Sequence, residues 1–122
     1  MRNKFNAKKI EVDGHVFDSM AESNRYAQLK LLERARAIRA LSLQPSFILT
    51  VNGHEICEFR GDFSYFENGR NVVEDSKGVV TREFRLKRKL FLALHPTIEL
   101  RVVDRKGSVK TIRTRKAHRK AA

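Results

Sequence analysis

Apolar and polar residues follow one another along this chain with two different periods, and the switches between them predict most of its elements. Met20, Ala27, Leu31, Ala35 and Ile38 fall at helical spacing, and Tyr26, Leu29 and Leu32 widen the apolar face. No Gly or Pro interrupts residues 19–40, so a helix is expected from about 19 to 38. Ser19 stands at the N-cap position, and Glu22 completes a capping-box pattern three residues on. Ahead of it, residues 1–17 are basic and then weakly alternating, with a turn signal at Asp13-Gly14. They read as an arm with a short strand at Val16-Phe17.

The period then changes. Leu41 to Gln44 lead into Pro45, which favours an extended or turn segment. Phe47 to Val51 is rich in β-formers, Asn52-Gly53 is a strong hairpin signal, and a returning strand is expected from Glu55 to Phe66. Asn68-Gly69 repeats the turn signal and leads into Val72-Val73-Glu74-Asp75-Ser76-Lys77. The expectation is an antiparallel meander of three strands. Thr81 can cap a second helix from about 82 to 94, which Pro96 stops. Thr97 to Val103 closes the series as a final strand. The order is helix, three strands, helix, strand, an α/β arrangement with the second helix as crossover.

Charge changes the picture most. The chain has 122 residues, enough for one domain, with 26 Lys+Arg against 14 Asp+Glu and a formal charge of +12. Such an imbalance costs self-repulsion unless a polyanion offsets it, and nucleic acid is the first partner to consider, ahead of an acidic membrane surface. The last 18 residues carry eight Lys/Arg and no acid, which leaves +4 for residues 1–104. The expected division is a domain over 1–104 and a disordered basic tail over 105–122. Cys57 is the only cysteine, so no internal disulfide forms, and it reads as a small core or sheet residue. His15, His54, His95 and His118 are scattered, which argues against structural zinc. No apolar run approaches the ~20 residues of a membrane span, and the N-terminus lacks an apolar signal core, so a cytoplasmic location is expected.

Candidate chemistry sits on the meander. Alternation puts Asp75 and Lys77 on one strand face about 7 Å apart, and the Asn68-Gly69 turn brings the Asp62 strand alongside. Two carboxylates and an ammonium at one sheet end suit phosphodiester hydrolysis. Carboxylates hold hard cations such as Mg²⁺, such an ion acidifies water and offsets phosphate charge, and a lysine stabilises the charge further. The Ser76 carbonyl lies between the two side chains as an additional ligand. The bland reading is a hairpin with a cross-strand Asp–Lys pair. Glu22 has its own rival role as a capping residue, and the two roles are compatible.

Taken in order, Phe17-Asp18-Ser19-Met20-Ala21-Glu22, Leu43-Gln44-Pro45, Gly61-Asp62-Phe63, Val73 to Gly78 and Phe84 to Phe91 resemble the PD-(D/E)xK nuclease superfamily. Within it, the chain looks like small phage- and prophage-borne proteins related to Holliday junction resolvases. The resemblance spans roughly residues 15 to 103 and implies a restriction-endonuclease-like core. It implies catalytic roles for Glu22, Asp62, Asp75 and Lys77, with Mg²⁺ or Mn²⁺ held by Glu22, Asp62, Asp75 and Ser76. Gln44 resembles an accessory polar residue, although a loop residue looks the same. Arg85, Lys87 and Lys89 on the second helix are candidates for phosphate contacts, as are Arg113, Arg115 and Lys116 in the tail; a solvated charged face explains the helical ones nearly as well. Gly61 replaces the motif's proline, and Asp75 stands where glutamate is commoner. A strand bulge would make Glu74 the ligand instead.

The function so implied is a metal-dependent endonuclease acting on DNA, including branched or nicked DNA, with salt-sensitive and weakly sequence-specific binding. Junction-resolving relatives are commonly homodimers, because two strands must be cut. The alternatives are a non-catalytic basic nucleic-acid-binding protein and a basic partner of an acidic protein.

Overall fold

Three tight turns organise the N-terminal two-thirds of the chain. In Asn52-Gly53 and Asn68-Gly69 both residues take positive φ (51° and 80°, 50° and 79°), the pair of left-handed conformations that a two-residue hairpin turn requires. Asp13-Gly14 turns the same way. The structure, a computed structural model, describes residues 9–76, 81–115 and 117. Lys77 and Lys116 lie outside the described residues.

The elements in order are β1 (Ile10–Val12), β2 (His15–Phe17), α1 (Met20–Arg34), β3 (Arg39–Leu43), β4 (Ser46–Val51), β5 (His54–Arg60), β6 (Phe63–Glu67), β7 (Arg70–Ser76), α2 (Arg82–Leu94), β8 (Ile98–Val103) and β9 (Val109–Ile112). A five-stranded sheet runs β3-β6-β7-β8-β9, while β1-β2 and β4-β5 are separate hairpins. All pairs in the main sheet are antiparallel except β7-β8, which is parallel because α2 carries the chain across between them. The chain is thus mixed α/β, as expected.

Three expectations need correction, and one gains detail. The helix stops at Arg34, not 38. Arg36 takes φ 63°, and the N–H groups of Arg36 and Ala37 return to the carbonyls of Glu33 and Leu32. That is a Schellman end with arginine in the place glycine usually fills, so composition did not announce it. The extended segment expected over 41–44 is, up to Leu43, part of strand β3, which already starts at Arg39; its register shifts between Arg39 and Ser42 and so hides its alternation. The single strand drawn from Glu55 to Phe66 is two strands, β5 and β6, in different sheets, with the break at Gly61-Asp62. The three antiparallel strands are therefore β3, β6 and β7, and β4-β5 is an insertion between the first two. Lastly, the tail is not irregular throughout: β9 pairs with β8, so a boundary after 104 falls inside that hairpin.

The main sheet is covered on both faces. Phe63, Tyr65 and Val72 pack with Phe17, Tyr26, Leu29 and Ile38 from the α1 side. Val73 and Leu100 point the other way and pack with Leu49, Phe59 and Phe91, from the β4-β5 hairpin and α2. Phe59 and Phe91 stack at 4.5 Å between centroids. Alternation along β7 then has a direct consequence. Glu74 shares the α1-facing side with Val72, and Asp75 shares the α2-facing side with Val73.

Candidate active site

Asp62 is held from three directions at the point where the chain leaves one sheet and enters another. Its N–H donates to the Glu74 carbonyl at 2.8 Å, and its own carbonyl accepts from the Gln44 N–H at 2.8 Å. Its Oδ2 accepts from the Ser76 N–H at 2.7 Å. Gly61 makes this approach feasible. A Cβ there would meet Val73 Cγ1 at 2.6 Å and the Glu74 carbonyl oxygen at 3.1 Å, so the backbone can lie this close to β7 only without a side chain.

Glu22 arrives from the first turn of α1. Ser19 caps that helix by accepting the Glu22 N–H at 3.1 Å. Among the described residues the Glu22 carboxylate does not return the bond to Ser19; it lines a pocket together with Arg25, Asp62, Glu74, Asp75 and Ser76. Val103 and Asp104 close the far side. The pocket therefore lies at the carboxyl ends of the parallel strands β7 and β8, where open α/β sheets hold ligands.

The three carboxyls feel one another. Burial, then the charge of Asp62, then that of Asp18, pushes the Glu22 carboxyl up to about 7. Burial and the charge of Asp62 push Asp75 up to about 7, with Glu22 adding to the shift and the Arg88 guanidinium opposing it. Burial also raises Asp62, against the hydrogen bonds from Ser76 that favour its charged form. Asp75 is 8% exposed, and its Oδ2 is buried with no hydrogen-bond partner among the described residues.

Glu74 is different. It is 1% exposed, and its oxygens accept from Arg25 Nε and Nη2 and from the Tyr65 hydroxyl. Of the adjacent acids, Asp75 is thus the one with an unpartnered oxygen among the described residues. Among the described residues no group of three or more His, Cys, Asp or Glu side chains is arranged so that it could hold a metal ion.

Of the other expected residues, Gln44 does not line the pocket; it is exposed at φ 50° and touches the site through its backbone N–H. Arg85 and Lys89 are exposed on α2, Lys87 is half-buried there, and Arg113 and Arg115 are exposed after β9. Sequence reading missed Arg25, Tyr65 and Arg88. Arg25 had a signal, being one helical turn beyond Glu22 on the same face. Arg88 lies over the Phe84 ring at 5.1 Å with a buried, unpartnered Nε among the described residues, and nothing in the sequence separates it from its basic neighbours.

Over residues 2–111 the sequence matches the family described as "Protein of unknown function (DUF1064)". The chain belongs to the DUF1064 family. No curated protein and no solved structure matches it. The DUF1064 match takes in Glu22, Asp62, Asp75 and Lys77, and it ends before Arg113, Arg115 and Lys116. The pocket described above thus lies wholly within the DUF1064 region, and the last basic residues lie beyond it. No helix among the described residues is long and apolar enough to cross a membrane.

Proposed function

We propose that this protein is a metal-dependent endonuclease that hydrolyses phosphodiester bonds in DNA. One observation carries the reading: Glu22, Asp62 and Asp75 meet on one pocket at the carboxyl end of the sheet, where an Asp75 oxygen is buried and unpartnered among the described residues. Two things support it. The mixed α/β core, in which α1 precedes the main-sheet strands and α2 crosses between the parallel strands β7 and β8, is compatible with the fold that the resemblance to PD-(D/E)xK nucleases implies, with the β4-β5 hairpin inserted after β3. The formal charge of +12 suits a polyanionic substrate.

The donor types that line the pocket suit a hard divalent cation such as Mg²⁺ or Mn²⁺, and a bound ion would have to draw the acids together, since no three of them among the described residues are arranged to hold one. The pocket's donors are carboxylate oxygens, and three mutually repelling acids with an orphaned oxygen carry a desolvation cost that a cation would offset. Asp62 and Asp75 would hold it, with Glu22 and the Ser76 carbonyl beside them. When bound, such an ion supplies Lewis-acid polarisation of the phosphate and a more acidic water.

The chain's own groups do the rest. The Ser76 N–H keeps the Asp62 carboxylate in one orientation. Glu22, whose carboxylate lines the same pocket, would orient the attacking water beside the cation. Lys77, outside the described residues, is the ammonium placed two positions beyond Asp75 in sequence to offset phosphate charge. Arg85, Lys87, Lys89, Arg113 and Arg115 would grip the backbone without reading bases, which favours selection by DNA structure. The test compares a four-way junction, a nicked duplex and an intact duplex, each with Mn²⁺ and with chelator. Metal-dependent product on at least one supports the reading. Retardation of all three without product favours a binding protein.

A further inference from the structure

We infer that Glu74 is the positioning residue of this site, and that Arg25 is the arm through which it sets Glu22 against Asp62 and Asp75. The inference rests on the nuclease reading and names what aligns the acids.

Each acid comes from a different stretch of the chain, and Glu74 is tied to all three stretches, to that of Glu22 through Arg25. It precedes Asp75 directly on β7. Its main-chain carbonyl accepts the Asp62 N–H at 2.8 Å, which fixes the start of β6. Its carboxylate accepts Arg25 Nε at 2.8 Å and Nη2 at 2.5 Å, a two-point grip on α1. Arg25 lies three residues beyond Glu22, so the grip sets the rotation and height of the turn that carries Glu22. A slip by one helical turn would move Glu22 about 5.4 Å.

The far side of Glu74 is braced as well. The Tyr65 hydroxyl donates to Glu74 Oε2 at 2.5 Å, and Arg101 Nη1 donates to the Tyr65 oxygen at 3.2 Å. Arg101 in turn binds Glu67 at 2.6 Å and Glu99 at 2.5 Å. Glu74 therefore cannot swing without breaking a chain that runs across β6, β7 and β8.

Stability alone does not account for this arrangement. A carboxylate that is 1% exposed pays heavily for desolvation, and buried ion pairs are often replaced by apolar side chains without loss. What a two-point Arg–carboxylate grip supplies is a fixed angle. Glu74 itself stays out of the chemistry, because Arg25 and Tyr65 occupy its oxygens.

The test uses the full-length protein and three variants: Arg25→Lys, which keeps the charge and loses the fork; Glu74→Gln; and the double change Arg25→Met with Glu74→Gln, which removes both charges of the pair and so leaves neither one unpaired. Plasmid cleavage is measured against Mn²⁺ and DNA concentration, Mn²⁺ binding is measured directly by calorimetry, and folding by thermal melting. The expected result is a fall in kcat and in Mn²⁺ affinity on the order of 10- to 100-fold, at little-changed KM for DNA, in chains that still melt cooperatively. Folded variants with wild-type kcat and Mn²⁺ affinity would overturn the positioning role and leave the nuclease reading intact. A wild-type chain that neither cleaves DNA nor binds Mn²⁺ overturns both.

Discussion

The main-chain N–H of Ser76 donates to Asp62 Oδ2 at 2.7 Å, so the residue next to Asp75 is the one that fixes the Asp62 carboxylate. The two acids are thereby tied through one peptide unit, yet their own charges repel. Activity and stability should separate at these positions. Asp62→Ala leaves the exposed Ser76 N–H to water and should cost about 0.5–1.5 kcal/mol in urea unfolding. Asp75→Asn relieves a buried repulsion and should be neutral or stabilising at pH 8. Both should lower cleavage on the order of 100-fold or more. Equal destabilisation by the two changes would contradict the electrostatic account.

Proton and cation should compete for the same oxygens. Glu22 and Asp75 have folded pKa values of about 7, above their ordinary values of 4.5 and 3.8. Between those limits the folded state keeps protons that the unfolded chain has released. Stability should therefore fall as pH rises from about 4 to 7. Divalent cation reverses the trend only where the carboxyls are ionised. Added Mg²⁺ or Mn²⁺ should raise the melting temperature at pH 8 and have little effect at pH 5, as read by thermal scans. A cation effect equal at both pH values would count against these acids as its ligands.

Gly61→Ala tests the close approach of Asp62 to β7. The new methyl would stand 2.6 Å from Val73 Cγ1, so strand or side chain must shift. The expected cost is about 1–3 kcal/mol, with cleavage falling by more than the stability loss explains, because Asp62 and Glu74 move together. Chevron or urea curves beside initial rates decide it. An unaltered rate in a destabilised protein would detach Gly61 from the site.

The C-terminal segment makes a separate prediction. β9 covers β8, and its Ile112 packs beside the fully buried Leu100. Truncation after Asp104 should cost at least about 2 kcal/mol relative to the full-length chain, the scale of exposing one large aliphatic side chain. Matching melting curves for the truncated and full-length chains would remove β9 from the folded unit.

What the sequence made legible was local. The Asn-Gly turns impose their own backbone conformation, and both appear where expected. Ser19 and Thr81 each accept an N–H from the residue three positions on, the caps anticipated from their positions. Asp62 and Asp75 meet on one pocket because a short turn joins their strands. What escaped was either non-local or disguised. Glu74 finds Arg25 across 49 residues and Arg101 reaches Tyr65 across 36, distances over which no periodicity speaks. The alternation from Glu55 to Phe66 runs through a sheet change, because Gly61 breaks pairing without breaking the pattern. The run of positive charge from Arg105 masked the two apolar residues of β9, Val109 and Ile112, and Arg36 ended α1 without the usual glycine.

The most direct measurement is single-turnover cleavage of supercoiled plasmid by the full-length protein and by Asp75→Asn. Each is assayed with Mg²⁺, with Mn²⁺ and with EDTA, and binding is followed in parallel. The account predicts nicked or linear product from the wild-type chain with metal only, and DNA binding without product from Asp75→Asn. A wild-type chain that binds the plasmid and leaves it intact under every metal condition would contradict it.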